Sequence, residues 1–157
     1  MLHVFKSLPV VQEICREEAL PSRARSYARD TITLGWEERL KARGRRRSEG
    51  GGEFGTALPR GMMLRGGDCF VLDDSETCIA VIEQSEPVLI IEPRTASEWG
   101  LFGYHIGNGH QPVMITEREI ICPDVPGVEQ VLEQHAIAFR RDTRPFTPAG
   151  MLVDHRH

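Results

Sequence analysis

Alternation marks the first readable segment of the chain. In residues 30–36, DTITLGW, Ile32, Leu34 and Trp36 fall on one face and Thr31, Thr33 and Gly35 on the other. That two-residue period predicts a half-buried strand. The polar stretch EERLKARGRRR (37–47) then leads through Ser48 and Glu49 to three successive glycines, Gly50, Gly51 and Gly52. Such a run accepts any turn geometry and predicts a hairpin tip. PRGMMLRGGD (59–68) carries two more turn signals around a short apolar piece. CFVLDD (69–74) and CIAVIE (78–83) flank a polar turn at 73–77, which predicts a second hairpin. Short strands at this spacing predict a small β-sandwich or open barrel.

The pattern changes near Pro87. PVLIIE (87–92) has the continuous apolar character of a buried strand. Thr95 and Glu98 then form a capping-box signature, with Trp99, Phe102 and Ile106 at helical spacing behind them. Gly107 predicts the end of that helix. PVMI (112–115) and REIIC (118–122) read as two short strands. Asp124 is placed to cap a second helix with Pro126 in its first turn, and its apolar face comprises Val128, Val131, Leu132, His135 and Ala136. IAFRR (137–141) reads as a last strand, and the remainder, DTRPFTPAGMLVDHRH, has no strong period and predicts a flexible tail. The fold class is therefore α+β. A β domain spans residues 1–85, a ferredoxin-like βαββαβ domain spans 86–143, and a tail occupies 144–157.

Composition narrows the class. The 157 residues are 40% hydrophobic and 27% charged, as in a soluble globular protein. A net charge of -4 gives no overall attraction to nucleic acid or an anionic membrane, and no apolar run approaches a membrane span. The N-terminal segment lacks the pattern of a signal peptide. The four cysteines, Cys15, Cys69, Cys78 and Cys122, form no CxxC pair and read as reduced thiols of a cytoplasmic protein.

Chemistry concentrates in YHIGNGHQP (104–112), which holds two of the six histidines. His105 falls in the last turn of the predicted helix, where an imidazole partners the helix dipole or serves as a ligand. His110 follows Gly-Asn-Gly, where the chain turns, and is placed to be accessible. Imidazole binds nickel, zinc and copper, but one imidazole holds an ion poorly and needs a second copy, as across a symmetric dimer. His155 and His157 close the chain as HRH and can converge on one ion, or are simply solvated. His135 reads as a core or rim residue, and His3 is uninformative. Cys122 and Asp124 are a further ligand pair, or a buried strand residue and a helix cap. The basic run RGRRR (43–47) reads as edge protection or a partner contact. No GxSxG, P-loop, HExxH or GxGxxG is present, and no spacing ties serine, histidine and acid into a triad, so the chain is not read as an enzyme.

In order along the chain, DTITLGWEERLKARGRRR, LPRGMMLRGGD, YHIGNGHQPV and PFTPAG before a histidine-bearing tail resemble the UreE family of urease accessory proteins. The resemblance covers roughly four-fifths of the sequence, from Asp30 onward. It implies a β-rich N-terminal domain related in fold to the peptide-binding domain of Hsp40 chaperones, and a ferredoxin-like metal-binding domain. It also implies a homodimer that binds nickel and passes it to apo-urease alongside an accessory GTPase. The family's interface ligand, the histidine closing a Gly-Asn-Arg-His motif, maps onto His110, and the preceding Tyr-His pair onto Tyr104 and His105. The family's histidine-rich tail is reduced here to His155 and His157. Gly109 replaces the motif's arginine, which predicts a more mobile loop, and Cys122 and Asp124 occupy the neighbourhood of further histidines in some members. The rival readings are a peptide-binding interaction module and a general zinc or copper buffer.

Overall fold

The computed structural model describes residues 7–149, and the chain divides between Glu83 and Gln84 into two compact units. Among the described residues no helix is long and apolar enough to cross a membrane.

The first unit contains β1 (Val10–Val11), β2 (Cys15–Arg16), β3 (Ala28–Leu34), α1 (Trp36–Leu40), β4 (Arg43–Arg47), β5 (Glu53–Ala57), β6 (Asp68–Leu72) and β7 (Thr77–Glu83). They form two sheets, β1-β5-β4 and β2-β6-β7-β3. Each strand alternates across its sheet, so Ile32 and Leu34 of β3 are buried while Thr33 is exposed. Val11 and Phe54 from one sheet join Ile32, Leu34, Phe70, Leu72, Ile79 and Val81 from the other in a single core. The Phe54 and Phe70 rings meet at 5.0 Å between centroids. This is the sandwich that the spacing predicts. Two details differ. Trp36 opens α1 instead of closing β3, because Gly35 breaks the alternation and serves as the helix N-cap. β1 and β2 have two residues each, too few for a period to register.

The glycine tip is held in place. The Asp30 carboxylate accepts hydrogen bonds from the Ser48 hydroxyl and from the Gly50 N–H at 3.0 Å. A Cβ at Gly50 would lie 2.6 Å from Asp30 Oδ2, so glycine is required there by close approach. These bonds to the charged form, the Ser48 hydroxyl foremost, hold Asp30 below the ordinary carboxylate range.

The second unit contains β8 (Glu86–Ile91), α2 (Ala96–Asn108), β9 (Met114–Ile115), β10 (Ile120–Pro123), α3 (Val128–Gln134) and β11 (Arg140–Arg144). Its sheet runs β11-β8-β10-β9 with every neighbour antiparallel. Numbered within the unit, that is strand order 4-1-3-2 of a βαββαβ chain, the ferredoxin-like arrangement. Leu89, Ile91, Ile120 and Cys122 of the sheet pack with Ile106 of α2, Val128 and Leu132 of α3, and Ile137. Thr95 caps α2 by accepting from the Glu98 N–H at 3.1 Å, and the Glu98 carboxylate accepts from the Arg94 N–H. The reciprocal bond thus reaches one residue further back than in the usual capping box.

Four sequence expectations need correction. α2 runs through Gly107 to Asn108. α3 starts after Gly127, whose φ of 95° supplies the turn, so Asp124 is not its cap and Pro126 lies before it. Asp124 accepts from Arg141 at 2.6 Å. The last strand is residues 140–144, because α3 and its terminating turn extend to Ile137. The predicted flexible tail is packed in its first part, where Phe146 is fully buried and the Ala149 N–H donates to the Val113 carbonyl. The rest of that tail, with His155 and His157, lies outside the described residues, as does His3.

Candidate metal centre

His110 owes its position to the way α2 stops. The Gln111 N–H donates to the Ile106 carbonyl at 3.3 Å and the His110 N–H to the Gly107 carbonyl at 3.0 Å. Together these bonds form the Schellman motif. Its residue just past the cap takes a left-handed backbone, and here that residue is His110, at φ 53°. Glycine usually fills this place; an L-residue there costs roughly 1–2 kcal/mol, although histidine tolerates it better than most. The chain reverses at His110 and leaves its side chain exposed.

The preceding residue is fixed by packing. A Cβ on Gly109 would stand 3.1 Å from Val131 Cγ1 and 3.2 Å from Cγ2, so only glycine lets the loop seat against α3 without displacing it. The Gln111 side chain adds a bond to the Gly109 carbonyl at 3.0 Å. The glycine in place of the family's arginine therefore accompanies a closely packed loop, where the sequence alone suggests a mobile one.

His105, one turn before the end of α2, is half-buried beside Ile106, which is 1% exposed. Its ring meets Tyr104 edge-on at 5.5 Å and lies flat on His135, with centroids 3.9 Å apart and planes 13° from parallel. His135 is exposed, not in the core. Helical periodicity places it on the apolar face, but α3 ends at Gln134, and His135 is its cap, with φ -103° and ψ 12°. A second Schellman motif closes this helix. Ala136 has φ 54°, its N–H donates to Glu133, and the Ile137 N–H donates to the Leu132 carbonyl at 2.9 Å. The His105–His135 contact is not readable in the sequence, since stacking between the ends of two helices has no linear signature.

Cys122 and Asp124 do not form a ligand pair. Cys122 is fully buried in the core of the second unit, and burial pushes its thiol up to about 12. Asp124 is taken by Arg141. Burial likewise pushes Cys69 up to about 11, and among the described residues all four cysteines are free thiols. No three histidine, cysteine, aspartate or glutamate side chains converge as a metal site among the described residues. The basic run forms β4, an edge strand. Arg43, Arg45 and Arg47 are exposed, while Arg46 is buried, donating to Thr56 and to the Lys41 carbonyl.

Two family models together match nearly the whole chain. One, described as UreE urease accessory protein, N-terminal domain, matches residues 11–83, and its C-terminal counterpart matches residues 86–157. The chain belongs to the UreE family. Relatives named Urease accessory protein UreE include that of Verminephrobacter eiseniae, 33% identical over 147 residues, covering 91% of this chain and 86% of the relative. That of Streptococcus vestibularis is 33% identical over 113 residues, with 72% and 75% coverage, and that of Enterobacter sp. (strain 638) is 31% identical over 128 residues, with 81% and 84%. UreE proteins are accessory proteins and not enzymes.

Proposed function

We propose that this UreE protein is a cytoplasmic homodimer that binds nickel through His110 of each subunit and delivers it to apo-urease. The observation that carries the reading is His110 itself, an exposed imidazole held in a strained backbone at the end of α2. Strain retained at an exposed polar side chain points to a role other than folding. One imidazole is too few ligands for an ion, and a second copy related by symmetry supplies the partner. Gly100, Gly103 and Gly107 line a face of α2 on which an added Cβ would meet nothing within 4 Å, beside the exposed Leu101 and Tyr104. A smooth apolar strip next to His110 suits the close approach of a second subunit.

In this reading the ferredoxin-like unit carries the metal, and the protein works with the accessory GTPase and the urease activation complex. His155 and His157 add ligands around the ion, and His105 contributes metal-binding capacity of its own in the same unit. Two shared imidazoles leave coordination positions open, so an acceptor's ligands can enter before the donor's leave. Zinc or copper binds the same nitrogen donors in vitro, because such a set does not select nickel by affinity. The test is activation of apo-urease by the other accessory proteins at limiting nickel. Nickel-loaded wild-type protein raises the activated fraction and His110→Ala does not. Equal activation by the two would overturn the assignment of His110, and activation independent of this protein's nickel load would favour a role in partner binding alone.

A further inference from the structure

We infer that His105 and His135 form a second divalent-metal station, contained within one subunit and separate from the one at His110. The two rings lie 3.9 Å apart and nearly parallel. Among the described residues neither imidazole has a hydrogen-bond partner, so their nitrogens are uncommitted. The backbones beneath them are fixed. His105 is inside α2, and His135 is the cap of α3, with the Schellman bonds of Ala136 and Ile137 immediately behind it. The spacing between the helices is set by Gly109 seated on Val131, one turn before His135 on α3.

Parallel rings cannot both point a nitrogen at one ion, since a metal lies in the plane of each imidazole that holds it. A large turn of each ring about its Cβ–Cγ bond, enough to unstack the pair, brings the two ring planes together along one edge. The nitrogens then converge at the roughly 2.0–2.1 Å bond lengths of zinc, or those of similar borderline ions. His135 is exposed and free to turn, and water completes the coordination. Two neutral nitrogen donors on a pre-spaced backbone select the same class of ion as His110, namely nickel, copper or zinc in the divalent state. Because Val131 links the two places, the pair sits beside the His110 loop and can hold an ion arriving at or leaving it. The inference extends the metal-carrier reading but is carried by different residues, and it is tested with His110 removed.

The background variant is the full chain with His110, His155 and His157 all changed to alanine, titrated with nickel(II) and copper(II) by calorimetry. The expected result is one weak ion per subunit, lost at least tenfold in affinity when His135→Ala or His105→Ala is added. His135→Phe separates ligation from packing, because it keeps a ring for the stack and removes the nitrogens. Loss of metal with His135→Phe and retained folding by circular dichroism supports the station. A background variant that binds no ion, or a His135→Phe variant that binds as the background does, overturns it. Neither of those results bears on His110, whose own test uses the chain with His105 and His135 intact.

Discussion

At φ 53°, His110 adopts a conformation that most residues avoid, and that strain makes a prediction opposite in sign to the usual one for a binding-site mutation. His110→Gly relieves the left-handed backbone and, after the greater freedom glycine gives the unfolded chain, raises the unfolding free energy by about 0.5–1 kcal/mol. The same variant loses its tightest nickel event. Ala136→Gly, at φ 54° in the second motif, provides the control, with a similar gain in stability and nickel binding intact. Urea unfolding midpoints read the first effect and calorimetry the second. No gain from either glycine would contradict the strain argument. This is also the scale at which the sequence is least legible. Gly107 is the obvious helix stop, yet the chain passes through it and turns at a histidine, because two backbone bonds to Ile106 and Gly107 outweigh residue preference. His135 misleads for a related reason, since helical spacing has no meaning one residue beyond the last turn.

Among the elements, the seam between α2 and α3 is the most sensitive. Restoring arginine at Gly109 introduces a Cβ about 0.3 Å inside ordinary contact with Val131. Gly109→Arg therefore destabilises the second unit by about 1 kcal/mol, the lower range for overpacking, and Val131→Ala in the same chain recovers part of it. A double-mutant cycle in urea measures the coupling, and strict additivity would show that the contact is not what excludes arginine. Acid acts on another joint. The Arg144 guanidinium, bonded to Glu119 at 2.7 Å, holds that carboxyl below its ordinary 4.5, with Arg140 assisting at 3.1 Å. A carboxyl lowered in the folded state contributes stability that is complete above 4.5 and fades as pH falls through 4.5 toward the folded value. Glu119→Gln thus weakens the fold at pH 7 and flattens its further decline between about pH 5 and 3. Unfolding midpoints across that range check it, and a parallel decline in both proteins would assign the acid sensitivity elsewhere. Elements with long periods, β3, β7, β8 and α2, are legible from the sequence. The two-residue strands β1 and β2 are not, and α3 begins late because Gly127 supplies the turn that the sequence assigns to a cap at Asp124.

On the scale of the whole molecule, the sequence order of strands and helices is enough to give the sandwich and the ferredoxin-like sheet, since alternation fixes which faces are buried and a βαββαβ chain has few ways to close. The metal site is legible only as a position. His110 and His105 stand out by spacing, while the ligands proposed to complete a site belong to a second copy, to the end of another helix, or to His155 and His157, which lie outside the described residues. The most direct measurement is calorimetric titration of nickel into wild type and His110→Ala, with the oligomeric state followed by light scattering. The account predicts about one tight ion per wild-type dimer, shared between symmetry-related imidazoles, and loss of that event in His110→Ala without unfolding. Equal stoichiometry and affinity in the two proteins would contradict it, and would leave the loop at His110 a strained turn with no metal to hold.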